Sequence, residues 1–331
     1  LKVGGYITWL SGLSVAIALI VVQGVDEVLA ATSVAGWGLL WVPAIQLLPM
    51  CADTLAWQRL IAPGVRVSFR TLFWARWIGE SVNHLLPVAA IGGEVLRAWL
   101  AHRAAKLSGA LAGGTVVVDL TLGVLTLIAF TLMGLGILLT HGIDGALFET
   151  TAIMVGLLTS ASLAFIFAQK AGMFDFSGRL VKTVAGRVGW TSIVDDGRKL
   201  DDAIRALYAR PGPLIECIVW RLLGWLTGTL EVWAALWVLG HPVSLAEALM
   251  LESLVQAVRS AGFMVPGALG IQEGGIILIG SVIGLGPEVA LALSLIKRIR
   301  ELILGLPGLV VWQLSALHDL WVAASEREMR G

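Results

Sequence analysis

The stretch FMVPGALGIQEGG, residues 263–275, lies in one of the most apolar parts of the chain, yet it carries a proline, four glycines and the carboxylate of Glu273. Proline removes an amide donor and fixes φ, glycine loosens the backbone, and a carboxylate is costly in lipid. A plain apolar helix would hold none of them. The stretch therefore reads as a break, with Pro266, Gly267, Gly270 and Gly274 forming the turn and a new helix starting near Glu273. Such a break is tolerated in a bilayer only where protein or a wet cavity covers the freed backbone groups. The amides of the restarted helix would face that cavity and favour anionic groups.

Composition sets the surroundings of this break. Of 331 residues 57% are hydrophobic and 14% charged, and the mean hydropathy is +0.87. These values predict an all-α polytopic membrane protein. Fourteen Trp and 39 Gly agree, since Trp favours interfaces and Gly favours close helix packing. The net charge of zero implies no nucleic-acid partner. Cys51 and Cys217 lie in apolar runs and read as small core residues. The five histidines, His84, His102, His141, His241 and His318, are scattered, so neither a metal site nor a cofactor is expected. The sequence opens at Leu1 rather than Met, which suggests a trimmed start, and the apolar run near it lacks a small-residue cleavage site and reads as a retained span.

Six segments are long and apolar enough to cross a bilayer, at residues 3–22, 36–57, 108–138, 150–168, 214–239 and 287–317. Two more apolar regions, around Pro87 and Pro266, are broken in the middle. If these two return to the side they entered, 17 of the 23 basic residues, Arg97 among them, fall on one side. The segments 23–35, 140–149, 240–247 and 284–286 hold no Lys or Arg. The positive-inside rule then places both termini in the cytoplasm. The arms 71–86 and 250–265 are 16 residues each, about 24 Å of helix against a core of about 30 Å, so both regions are expected to be re-entrant hairpins.

A repeat follows. Residues 80–94, ESVNHLLPVAAIGGE, align without gaps with 259–273, RSAGFMVPGALGIQE, at an offset of 179. Ser81/Ser260, Pro87/Pro266, Ala89/Ala268 and Glu94/Glu273 are identical, and the same offset carries 36–57 onto 215–236 and 108–138 onto 287–317. The expected organisation is a first half, 1–138, of two spans, a cytoplasmic-side hairpin at 71–106 and a span. The second half, 139–331, has a span, a cytoplasmic linker at 169–213, a span, an outer-side hairpin at 250–286 and a final span. Inverted repeats of this kind place a site near the midplane where discontinuous helices meet. In the linker, Leu200, Ile204, Leu207 and Tyr208 share one face of a helix expected to lie on the membrane surface.

The hairpin arms carry polar stripes. Arg76, Glu80, Asn83 and His84 share one helix face, as do Glu252, Gln256 and Arg259. Glu94 and Arg97 follow the first break, and the spans hold Asp119, Arg221, Glu231, Lys297, Arg298, Arg300 and Glu301. Each ionised group at the lipid centre costs roughly 3 kcal/mol, so together they must face inward, paired or hydrated. Lys297 and Glu301, an i, i+4 pair, are expected to neutralise one another. Glu216 and Glu301 read as structural charges near span ends. Candidate substrate contacts are Glu80, Asn83, His84, Glu94, Arg97, Asp119, Arg221, Glu252, Arg259, Glu273 and Arg298. The hairpin breaks are assigned to Pro87, Gly92 and Gly93 in the first half and to the four residues of the opening stretch in the second.

The motifs NHLLPVAAIGGEVLRA, residues 83–98, and VPGALGIQEGG, residues 265–275, resemble those of the flippase-like membrane domain of lysylphosphatidylglycerol synthases. The closer likeness is to stand-alone relatives, the hopanoid-biosynthesis-associated bacterial membrane proteins. The resemblance implies a multi-pass protein of the bacterial inner membrane that binds or moves a lipid with a large polar headgroup. It implies functional roles for Asn83, Pro87, Gly92, Gly93, Glu94, Arg97, Pro266, Gly267, Gly270 and Glu273. The synthases carry a soluble transferase domain after the membrane part, whereas twelve residues follow Asp319 here, so tRNA-dependent modification is not expected. The leading expectation is lipid translocation without enzymatic activity. A small-solute or ion transporter, and a membrane enzyme using Glu94, Glu273 and His84 as acid and base, stay open beside it. The membrane lipid is the expected partner, with a homodimer and lipid-biosynthesis enzymes left open. Single cysteines at positions 66 and 106 should react with an impermeant reagent only from the cytoplasm, and at 245 and 285 only from outside. The opposite pattern at either pair would remove the re-entrant assignment.

Overall fold

The computed structural model describes residues 36, 41–61, 65–86, 92–104, 106–140, 145–175, 191–261, 268 and 270–328. The first expected span, 3–22, lies outside the described residues, as do Pro87, Pro266 and Gly267. The rest is helical, with no strand among the described residues. The helices are α1 (Trp41–Leu60), α2 (Phe69–Leu85), α3 (Gly92–Ala104), α4 (Gly109–Leu139), α5 (Gly145–Ala171), α6 (Thr191–Tyr208), α7 (Pro211–Val238), α8 (Leu245–Ala261), α9 (Ile271–Val282) and α10 (Pro287–Glu328).

Short polar residues set several of the helix starts. The Ser68 hydroxyl accepts the Thr71 amide at 3.1 Å, and the Ser108 hydroxyl accepts the Leu111 amide at 3.2 Å. At α8 a capping box forms, with the Ser244 amide donating to Glu247 Oε2 at 2.7 Å and the Glu247 amide donating to Ser244 Oγ at 3.2 Å. The helix is interrupted in both regions, but of the residues assigned to the breaks Gly92, Gly93 and Gly274 are helical, in the first turns of α3 and α9, so both helices restart at or before these glycines. The chain turns extended at Leu86 and is helical again from Gly92. In the second half α9 begins after Gly270, whose φ of +78° suits a residue without Cβ.

The offset of 179 reappears in the helix boundaries. Added to Gly92 it gives Ile271, the start of α9, and added to Gly109 it gives a position one residue past the start of α10. Packing follows the same rule. α1 and α7 run along each other at the centre. α2 packs on α3 and leans on α10, while α8 packs on α9 and leans on α4. Each pairing has its counterpart under the offset. Each hairpin thus bridges the last helix of its own half, through its second arm, and the last helix of the other half, through its first.

Small residues permit the bridging. A Cβ on Gly308 of α10 would collide with the Ser81 hydroxyl of α2, and one on Gly134 of α4 would collide with the Ser253 hydroxyl of α8. Four apolar clusters pack the described residues, two of which join the hairpins to the bundle. One joins Leu251, Leu254 and Val255 of α8 to Leu236 of α7 and Ile296 of α10; the other joins Trp57 of α1 to Leu72 of α2, Ala101 of α3 and Val116 of α4.

Two expectations change. The linker helix α6 packs on the protein itself: Ile204 and Leu207 are buried against Val118 and Leu122 of α4 and Cys217 of α7. Gly113 and Gly114 of α4 open the surface there, so that Leu200 and Ala203 come close. The final helix is also longer than the expected span, 42 residues with Pro307 inside. Among the described residues, α4 alone meets by length and composition the bare requirement for crossing a membrane. In α7 and α10 the apolar runs are interrupted by Arg221 and Glu231, and by Lys297, Arg298, Arg300 and Glu301.

Backbone meets backbone between the arms of the first hairpin, where a Cβ on Gly93 would strike the Gly79 carbonyl and the Asn83 side chain. Gly93→Ala should therefore lower the melting temperature in detergent, by the equivalent of about 1–3 kcal/mol of overpacking. Gly136→Ala, with nothing within 4 Å of the added carbon, should leave it unchanged.

Candidate functional site

The charged residues of the apolar segments meet in two clusters. At the centre of the first is Asp119 of α4, fully buried. Its Oδ2 lies 2.8 Å from Arg76 Nη2, 3.0 Å from Arg97 Nη2 and 2.7 Å from Arg221 Nη2. The three arginines come from α2, α3 and α7, so one carboxylate ties three helices to α4. Arg221 donates further to Asp119 Oδ1 and, through Nη1, to Asp53 of α1 at 3.3 Å. Arg76 lies 3.6 Å from Glu80 and 3.7 Å from Asp53, and Arg97 lies 2.9 Å from Glu94. The Arg97 guanidinium also sits 4.8 Å over the Trp57 ring, a cation–π contact out of water.

The second cluster centres on Glu301 of α10. Its carboxylate lies 2.7 Å from Arg259 of α8, 3.1 Å from Arg298 and 3.6 Å from Arg300. Lys297 Nζ lies 2.5 Å from Glu252, Arg300 lies 3.3 Å from Glu231 of α7, and Arg298 lies 3.3 Å from Glu273. His84 of α2 joins this cluster from the other half, 3.8 Å from Glu301 and 3.5 Å from Arg259.

The offset of 179 places Glu94 on Glu273 and Asp119 on Arg298. In both halves the first-turn glutamate of the second hairpin arm is clasped to the last helix of its own half. In the second half the clasp is direct, Glu273 to Arg298. In the first half that helix position is acidic, and Arg97 is inserted between Glu94 and Asp119 to bridge the two carboxylates.

Between the clusters lies a cavity of about 290 Å³. Arg76, Glu80 and His84 of α2 and Glu94 and Arg97 of α3 form one wall, and Glu252, Gln256 and Arg259 of α8 another. Asp53, Arg221, Glu231, Lys297 and Arg300 complete the charged lining, with Trp225 and the glycines Gly224 and Gly228 on α7. Both hairpins thus reach one cavity through the polar stripes read in the sequence.

Of the candidate contacts, Glu80, His84, Glu94, Arg97, Arg221, Glu252 and Arg259 line this cavity. Asp119, Arg298, Asn83 and Glu273 do not. Asn83 holds the hairpin together, accepting the Gly93 amide at 2.8 Å and donating to Glu94 at 3.3 Å. Glu273 caps its own helix, accepting the Gly270 amide at 2.7 Å, and also accepts from the Ser294 hydroxyl at 3.0 Å.

Three sequence readings are corrected. Lys297 does not pair with Glu301 but with Glu252 across the helix interface, because Glu301 is already surrounded by three guanidiniums. Glu301 is buried at the centre of the charges and not at a span end, whereas Glu216 is exposed beside Arg59. Arg97, counted among the cytoplasmic basic residues, is 2% exposed against Asp119. Asp53 escaped the reading altogether, although an acid in the apolar run 36–57 carries the same cost as Asp119. Asp119→Asn leaves three buried guanidiniums around a neutral amide and should destabilise the protein by about 3–5 kcal/mol, read from thermal unfolding in detergent.

The sequence matches the family described as the lysylphosphatidylglycerol synthase TM region over residues 9–308. It is 23% identical over 273 residues to a UPF0104 membrane protein of Methanocaldococcus jannaschii, covering 78% of this chain and 79% of the other. It is 24% identical over 293 residues to a UPF0104 membrane protein of Methanothermobacter thermautotrophicus, covering 82% and 81%. These likenesses carry the family and not the hopanoid association. No solved structure matches the chain. The breaks and the paired charges on apolar helices thus belong to a membrane protein, and the chain belongs to the lysylphosphatidylglycerol synthase transmembrane-region family.

Proposed function

We propose that the protein binds the polar headgroup of a membrane lipid in the cavity between its hairpins and moves that lipid across the cytoplasmic membrane. The observation that carries the reading is the shared cavity. Stripes from two hairpins, one in each half, converge on a single polar space inside an apolar bundle. A fold that needed its charges only as struts would be expected to pack them without leaving space, since voids cost dispersion contacts.

In this reading the hairpins are re-entrant from opposite faces, six further segments span the bilayer, and both termini are cytoplasmic. The two halves form an inverted repeat, and one rocks against the other to expose the cavity alternately. The headgroup exchanges its hydration for Glu80, Glu94, Arg97 and Arg259, while the tails stay in the lipid. The protein acts without chemical change to the lipid.

Reconstituted in liposomes with a lipid fluorescent on its acyl chain, the protein should speed the appearance of label accessible to an external quencher. Arg259→Gln, checked for a monodisperse gel-filtration profile, should slow this by about tenfold or more, the worth of one charge-assisted contact. Undiminished movement by that variant would remove Arg259 from the site. A changed lipid mass after incubation would point to an enzyme instead.

A further inference from the structure

We propose that the cavity selects a compact zwitterionic headgroup, with an ammonium against Asp53 and Glu80 and a phosphate against Arg259 and His84. The proposal rests on the lipid-handling reading above and names its substrate class.

Exposure separates the charges that a ligand can touch from those that hold the helices. In the first cluster the arginines are the inner layer: the Arg76 and Arg97 side chains are 4% and 2% exposed, whereas Asp53 and Glu80 are 24% and 28% exposed. At the second cluster the most exposed groups are basic or neutral, with Arg259 at 16% and His84, reaching over from α2, at 36%. The buried acid there, Glu301, is 4% exposed behind them. A ligand entering the cavity thus meets carboxylates on one side and a guanidinium with an imidazole on the other.

Charge balance gives the same polarity. Among the described residues the first cluster sets four carboxylates, Asp53, Glu80, Glu94 and Asp119, against three guanidiniums, Arg76, Arg97 and Arg221. The second sets Glu231, Glu252, Glu273 and Glu301 against Arg259, Lys297, Arg298 and Arg300 and is balanced. By formal charge one carboxylate of the first cluster stays in excess, and Asp53 and Glu80 are the most exposed of its acids. A cationic group placed there completes the pairing that a low-dielectric site demands. An anionic headgroup would add to the excess.

Spacing sets how compact the headgroup is. Glu80 and His84 are four residues apart on one face of α2, about 6 Å along the axis, and His84 touches Arg259. A phosphorus and a nitrogen joined through two carbons and an oxygen, four bonds of about 1.5 Å each, span roughly 5 Å. At about 290 Å³ the cavity suits a headgroup alone, at the lower end of the range for small-molecule pockets.

The test is native mass spectrometry of the purified chain in micelles holding equal amounts of phosphatidylethanolamine, its N-acetyl derivative and phosphatidylglycerol. The ethanolamine lipid should be retained about tenfold over the other two, as expected for one charge-assisted contact. Asp53→Asn and Glu80→Gln should each erase the preference while lipid is still bound. If a variant fails to fold, the N-acetyl comparison on the unaltered chain decides. Equal retention of all three lipids, or of the two anionic ones above the zwitterion, would overturn the ammonium assignment and leave lipid handling standing. Preference for a headgroup with its amine on a longer arm, such as a lysyl ester of the glycerol lipid, would overturn the spacing. Retention of no lipid, with no movement in liposomes, would overturn both.

Discussion

A carboxylate that accepts three guanidiniums holds this structure together. Asp119 has no access to water, and its charge is tolerable only because Arg76, Arg97 and Arg221 surround it. Each arginine in turn could not be buried without an acid. The requirement is mutual, and it can be met only if α2, α3 and α7 converge on α4 at one depth. Glu301 imposes the same condition on α8 and α10. Apolar packing alone is permissive in lipid, where the tails are as apolar as the side chains, so charges and small residues have to specify which helices meet. The cavity sits where these obligations from the two halves adjoin.

The repeat shows how a backbone plan and its chemistry diverge. The starts of α3 and α4 and the helix pairings follow the offset of 179 closely. The charges follow it only in part. Glu94 and Glu273 correspond, but Asp119 corresponds to Arg298. Arg97, the bridge that an acidic Asp119 requires, falls on Ile276, where no bridge is needed. Neutrality is a condition on a neighbourhood and not on a position, so either half can reach it with its own set. The result is a bundle that is nearly symmetric in its helices and polar in its cavity, with exposed acids on one wall and Arg259 on the other.

A reader of the sequence could find most of the site, because buried charge is expensive wherever it occurs. The stripe Arg76, Glu80 and His84 and the stripe Glu252, Gln256 and Arg259 were each visible from helical spacing, and both line the cavity. Asp53 carried the same signal, one acid in an apolar run, and was hidden by lying alone. Pairing was not legible. The i, i+4 rule joined Lys297 to Glu301, yet each found a partner on another helix, since a local pair is worth a few tenths of a kcal/mol whereas a buried charge left without its cross-helix partner costs several. Position relative to the surface was equally hidden. Arg97 was counted with the cytoplasmic basic residues and Glu301 looked like a charge near a span end, and only the packing of α3 and α10 shows both to be buried.

The sequence by itself determined the helical class, the two breaks, the offset between the halves and the faces that carry charge. Those properties depend on residues near one another in the chain, through periodicity, caps and the cost of polar groups in apolar runs. The tertiary structure alone decided which acid meets which base, that Glu273 and Asn83 brace their hairpins outside the cavity wall, and that α6 packs on α4. Each of these depends on the distance between groups far apart in sequence, and electrostatic and packing energies fall too steeply with distance to be read from order along the chain.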